Sequence, residues 1–169
     1  MLDRDLRGVS TTAKIGSHPI HPMLVPFPIA LLVATFVCDL MYWSNGRPFW
    51  AEMAFWLLGG AIIMSAAAAA AGLVDFLGNS KIRALADAWK HMIGNVAAVI
   101  LAVVSFWLRY RDGVEAGSLP WGLALSTIIV LILVYTGWKG GDLVYHHRIG
   151  MHPEQPSEED NSRSTSTMR

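Results

Sequence analysis

Apolar positions in this 169-residue chain do not alternate with polar ones; they gather in four long runs. The runs cover about 23–43, 53–77, 92–108 and 119–138. Each is close to the ~20 residues with which a helix crosses about 30 Å of hydrocarbon. A soluble four-helix bundle keeps a charged face on every helix, and none of these runs has one. The pattern therefore predicts an all-α integral membrane protein, a bundle of four transmembrane helices over residues 21–150. Residues 1–20 read as a cytoplasmic N-terminal segment. Residues 151–169 read as a disordered polar tail, rich in Ser and acidic residues and almost free of apolar ones. The first run is too long for a cleavable signal peptide and shows no small-residue cleavage site before Tyr42 and Trp43, so it is expected to stay as a helix. The connections, 44–52, 78–90 and 109–118, leave no room for a second domain. No convincing internal repeat is evident, and the alanine run 66–71 reads as a tightly packed helix face.

Composition agrees with the pattern. Apolar residues make up 53% and charged residues 15%, against roughly 25% charged in a soluble domain. Thirteen Lys and Arg balance thirteen Asp and Glu, so the basic footprint of a nucleic-acid binder is missing. The single cysteine, Cys38, excludes an internal disulfide framework, a CxxCH haem attachment and an all-cysteine metal site. Set in apolar sequence, it reads as inert. The chain contains no P-loop, GxSxG, HExxH or Rossmann fingerprint.

The placement of charge sharpens the picture. Arg4, Arg7, Lys14, Lys81, Arg83, Lys90, Lys139, Arg148, Arg163 and Arg169 fall on one side of an even-numbered bundle; Arg47, Arg109 and Arg111 fall on the other. The positive-inside rule then puts both termini in the cytoplasm. Tyr42, Trp43, Trp50, Trp107, Tyr110 and Trp121 would belt the outer interface, and Trp89, Trp138 and Tyr145 the inner one.

Ionisable groups inside a membrane are costly, so they point to function. Topology brings most of the six histidines to the cytoplasmic end: His18 and His21 at helix one, His91 at helix three, His146 and His147 after helix four. Helical phase selects among them. His21, Val25, Pro28, Leu32, Thr35 and Asp39 share one face if Pro26 and Pro28 leave the helix regular. Ser65, Ala68, Gly72 and Asp75 share a stripe on helix two; His91, Asn95, Ala98, Ala102 and Ser105 share one on helix three. On helix four the stripe is Ser126, Val130, Leu133, Gly137, Gly140, Val144 and His147, provided the helix continues past Gly141. His147 then faces inward and His146 points about 100° away. Two imidazoles on facing helices hold a haem b in a helical bundle. Three imidazoles with a carboxylate hold a divalent transition metal such as Zn, or Fe or Cu. Small residues at helix spacing equally serve close packing. Asp39 reads as part of a proton path or as capped by a neighbouring Ser, Tyr or Trp. Asp75 reads as bonding the cluster or ending helix two, and Asn95 as orienting a ligand or bonding between helices. Gly140 and Gly141 read as a close approach or a bend, and Lys139 and Arg148 as headgroup anchors.

The segments SHPIHPMLVPFPIAL (17–31), GLVD (72–75), HMIGN (91–95) and GWKGGDLVYHHRIG (137–150) occur in that order. Together they resemble a family of bacterial four-helix membrane proteins catalogued as domain of unknown function 2231. The resemblance covers roughly residues 16–151. It implies a multi-pass protein of the bacterial inner membrane, with His18, His21, Asp75, His91, Asn95, Gly140, Gly141 and His147 at the family's positions. His146 stands where another residue such as arginine is common. Some members of that family are joined to Rieske-type iron–sulfur domains, which implies membrane redox chemistry. This chain lacks the Rieske cysteines, so an electron partner would be a separate protein.

Three readings follow. In the first, the chain binds haem b and passes electrons, with His91 and either His147 or His21 as axial ligands; His18, Asp75, Asn95, Gly137, Gly140 and His146 stand around them or in reserve. In the second, it is a non-catalytic accessory subunit of a larger membrane complex. In the third, it is a small transporter or metal-handling protein using the same cluster. Each has the bilayer as a partner, none involves nucleic acid, and homo-oligomers stay open because no interface is specified.

Overall fold

The computed structural model describes residues 8–9, 11–16 and 18–151. The first seven residues and the tail from 152 onward, His152 included, lie outside the described residues. Two short antiparallel strands, β1 (Lys14–Ile15) and β2 (His18–Pro19), lead into the helices. These are α1 (Ile20–Leu24), α2 (Pro26–Asn45), α3 (Pro48–Gly78), α4 (Ser80–Arg83), α5 (Ala86–Asp112), α6 (Val114–Gly117) and α7 (Leu123–Tyr145). A π-type segment, Ser118–Gly122, joins the last two.

Four stretches are long and apolar enough to cross a membrane: Ile20–Asn45, Pro48–Gly78, Ala86–Asp112 and Val114–Tyr145. The prolines do not interrupt the first. Val25 keeps helical angles (φ −55°, ψ −35°), and its N–H donates to His21 O at 3.1 Å. Pro26 and Pro28 sit in the first turn of α2, where a missing N–H leaves few bonds unmade.

Every stretch outruns its apolar run. At 1.5 Å per residue, 26 residues make a helix of about 39 Å, longer than the hydrocarbon core. The extra turns carry Trp89, Lys90, Arg109, Arg111 and Asp142. Polar side chains mark where the lipid changes; they do not end a helix whose backbone bonds still hold. The connections shrink accordingly, and the first is two residues long. Gly46 ends α2 at φ 64°, a left-handed angle that suits glycine, with its N–H on Tyr42 O at 2.8 Å. Pro48 then opens α3 in its first turn.

Around the bundle the order is α2, α3, α5, α7 and back to α2, with the closest packing between α2 and α3 and between α5 and α7. The core is built of Leu32, Leu58, Ala61, Ala98, Ala102 and Ile129. Phe55 stacks on Phe106 at 4.5 Å and 12°, and Gly59 leaves room for that ring. The outer surface is apolar. Phe27, Trp56, Ile63, Ile100, Leu131, Val134 and Trp138 are all exposed, as lipid-facing side chains are.

The buried positions reveal a repeat that residue identity conceals. On α2 they include Pro28, Leu32, Thr35 and Asp39; on α5 they include Ala98, Ala102, Ser105 and Arg109. The two sets have the same spacing and are displaced by the 70 residues that separate Asp39 from Arg109. His21 and His91 stand in the same relation, one turn-pair before Pro28 and Ala98. On the partner helices, Ala54, Leu58, Ala61 and Ala68 match Gly122, Ser126, Ile129 and Thr136, and all eight are buried. The chain is thus two helical hairpins, 20–78 and 86–145, packed as pseudo-equivalent halves. The pairs share position and not chemistry, which hides the repeat from sequence comparison.

Ala61 is fully buried in the core, whereas Ile63 on the same helix is 70% exposed. Ala61→Leu should cost about 1–3 kcal/mol by overpacking, and Ile63→Leu should be near neutral. Thermal unfolding of the detergent-solubilised protein measures both.

Candidate functional site: a pair of histidines docked on glycines

His21 reaches from α1 to α3, where its Nδ1 donates to Ala68 O at 2.8 Å. His91 reaches from α5 to α7, where its Nδ1 donates to Thr136 O at 2.8 Å. In each case a glycine lies four residues beyond the accepting carbonyl. A Cβ on Gly72 would come within 2.9 Å of the His21 ring, and one on Gly140 within 3.1 Å of the His91 ring. Each imidazole therefore lies against bare helix backbone, and glycine is what permits the approach.

These bonds settle the tautomers. A carbonyl only accepts, so each Nδ1 carries the hydrogen, and in the neutral ring Nε2 keeps its lone pair. Neither Nε2 has a hydrogen-bond partner among the described residues. The rings stand edge to face, with centroids 6.3 Å apart and planes at 89°. Metal-binding histidines are oriented in the same way, by a second-ring N–H on a carbonyl.

His91 has a further support. Asn95 donates from Nδ2 to His91 O at 2.8 Å, and Thr136 donates from Oγ1 to Asn95 Oδ1 at 3.3 Å. With the Thr136 carbonyl accepting from Nδ1, His91, Asn95 and Thr136 close a ring of hydrogen bonds. Gly94 makes space for the Thr136 methyl.

The other expected residues lie apart from this pair. His147 follows α7 and meets Asp87 at 3.5 Å through Nε2. Asp87 also takes Lys139 at 3.2 Å and Lys90 at 3.4 Å, and Lys139 takes Asp142 at 2.9 Å. His147 thus belongs to a surface ion network, and Lys139 binds carboxylates in it. His146 is exposed beyond the helix, and His18 is exposed on β2. Asp75 is buried and holds the N-terminal segment: Oδ1 accepts from Thr12 N at 2.7 Å and from Ala13 N at 2.6 Å. Gly137 is exposed, with open space where a Cβ would go. The inward stripe of α7 is Ser126, Ile129, Thr136 and Gly140; it shares Ser126 and Gly140 with the expected one and takes Ile129 and Thr136 in place of Val130 and Gly137. Thr136 was missed for that reason, since both phases fit small residues. The helix does continue past Gly141, to Tyr145. Among the described residues no three His, Cys, Asp or Glu side chains are placed to share a metal ion.

The opposite end of the bundle holds a second polar centre. Arg109, counted among loop charges in the sequence, is fully buried. Its Nη2 donates to Asp39 at 2.7 Å, its Nη1 to Ser118 Oγ at 2.7 Å and its Nε to Ser105 Oγ at 3.4 Å. Asp39 is equally buried, and its Oδ1 has no partner. A Cβ on Gly122 would lie 2.6 Å from the guanidinium, so that glycine clears its place. The signal available was the spacing itself, which equals that of the histidines.

Four apolar spans around a histidine pair and a buried ion pair define a multi-pass helical membrane protein. The chain belongs to the family described as Predicted membrane protein (DUF2231), whose model matches residues 17–153. No curated protein and no solved structure matches it.

Breaking a buried ion pair from one side strands a charge, at a cost of about 3–5 kcal/mol, while removing both charges is often near neutral. Arg109→Leu should therefore lower the thermal midpoint sharply in detergent. Asp39→Asn combined with Arg109→Leu should recover most of that loss.

Proposed function

We propose that this protein is a haem b protein of the bacterial inner membrane that carries electrons, with His21 and His91 as the residues that would hold the haem. The observation that carries the reading is the histidine pair: two imidazoles from different hairpins, each fixed through Nδ1 and each left with Nε2 for a ligand. The two ring centroids lie 6.3 Å apart, so one bound group would be within reach of both imidazoles.

The donor set favours haem over a bare ion. A structural zinc takes four protein ligands and a catalytic one three, and the described residues offer no such group. A haem iron takes two from the protein, the macrocycle supplying the rest. When bound, haem supplies one-electron redox chemistry. The residues of this chain do the remaining work. The carbonyls of Ala68 and Thr136 orient the rings and raise the basicity of Nε2. Gly72 and Gly140 let both helices close on the rings. The ten-to-three division of Lys and Arg supports a cytoplasmic position for this end.

Haem-supplemented expression should give a red preparation with a Soret band and iron near one equivalent per chain. His147→Ala should keep the band, because His147 is paired with Asp87, and His91→Ala should lose it. A colourless, iron-free wild type would overturn the haem reading. A band that depends on His147 would overturn the choice of ligands.

A further inference from the structure

We infer that the two histidines are unequal: His91 is the fixed ligand, and His21 is an exchangeable one whose place a small uncharged molecule such as carbon monoxide can take. This rests on the haem reading and deepens it. The two hairpins provide the comparison. Their histidines dock alike, on a carbonyl with a glycine four residues on, so any difference between them lies in the residues around that common device.

On the His91 side, Asn95 and Thr136 close the hydrogen-bonded ring that ties the imidazole to its own backbone and to the facing helix. The equivalent positions on the His21 side are Val25 and Ala68, and neither side chain can form such a ring. His21 has the single bond from Nδ1 to Ala68 O. His21 stands in the first turn of its span, Ile20–Asn45, whereas His91 lies in the second turn of α5. None of the residues of α1 is buried.

What holds the His21 segment is at its other side. Ile20 N–H donates to Ala13 O at 3.0 Å, and Ala13 and Thr12 donate to Asp75 one turn beyond Gly72. Val9 pairs with Ile149 beside it, bonding to Arg148 O and from Gly150 N. Asp75 is therefore a positioning residue for His21, acting through Thr12 and Ala13 and the bond from Ile20 to Ala13. Exchange replaces one donor by another: His21 gives up its bond through Nε2, the incoming molecule forms one with its own lone pair, and no electron or proton moves.

Carbon monoxide added to the dithionite-reduced, haem-loaded full chain is the test. His21→Ala should retain haem and show a full carbon monoxide difference spectrum. His91→Ala should retain roughly a tenth of the haem or less, on the scale of second-shell and ligand losses. Asp75→Ala should raise the fraction of chains that bind carbon monoxide while leaving the haem content unchanged. Circular dichroism of His91→Ala separates a lost ligand from a lost fold. If that variant does not fold, Asn95→Val decides, with a roughly tenfold weaker hold on haem expected and Val25→Ala without effect. Equal haem loss in His21→Ala and His91→Ala, or an Asn95→Val variant no weaker than Val25→Ala, overturns the inference and leaves the haem reading standing. A wild type without a Soret band overturns both.

Discussion

Hydrocarbon accepts no hydrogen bonds, so each polar side chain inside the bundle must find its partner within the protein. That constraint accounts for most of the arrangement. His21 and His91 have carbonyls, Thr136 has Asn95, and Arg109 has Asp39, Ser105 and Ser118. Helix carbonyls already accept from the backbone N–H four residues on. A side chain that shares one must come very close to the helix, which is why a glycine stands at that fourth position in both hairpins. Packing and polarity are thus one requirement here: the glycines that let helices approach are also the ones that let imidazoles bond. The same rule marks what is left over. Among the described residues, the two Nε2 atoms and Oδ1 of Asp39 have no hydrogen-bond partner.

The two hairpins explain where those groups fall. Equivalent positions on α2 and α5 face one another across the bundle, so residues there meet their own counterparts. At one end the counterparts are two histidines, suited to hold a single ligand between them. At the other they are Asp39 and Arg109, suited to hold each other. A strict repeat would oppose Asp to Asp or Arg to Arg, and two like charges in so dry a place would repel strongly. Divergence between the halves was therefore a condition for burying charge at that position, while the histidine end works with identical residues.

Much of this was legible in the sequence. Four apolar runs gave the spans, and the stripes from His21 to Asp39, from Ser65 to Asp75 and from His91 to Ser105 gave three of the four inward faces, because polar and small residues there are hemmed in by bulky lipid-facing ones. The fourth stripe was right at Ser126 and Gly140 and a residue late between them, since Thr136 and Gly137 are both acceptable at an interface and composition does not decide between them. Arg109 was misplaced because a charge after an apolar run looks like a loop, and only the fold shows a helix carrying it inward. His147 shares the end and the phase of the histidine pair, yet Asp87 on the neighbouring helix claims it; such competition between partners has no trace in spacing. The repeat stayed hidden for a related reason, as burial recurs where residue type does not.

The asymmetry around the histidines is the more telling departure from the repeat. The side chains of Val25 and Ala68 offer no hydrogen bond, so His21 has only the Ala68 carbonyl; Asn95 and Thr136 tie His91 through their side chains as well. Close packing in a membrane would be served as well by apolar residues on both sides, and a buried hydrogen-bonded ring brings only about 1 kcal/mol or less per bond there. Such a ring does more for orientation than for stability, since it leaves the imidazole one position. If both histidines served only to fill space, their surroundings would be expected to converge on the cheaper apolar solution. They have instead diverged, at the same two positions of the repeat, into one side chain held rigidly and one held by a strap that a single carboxylate, Asp75, keeps closed.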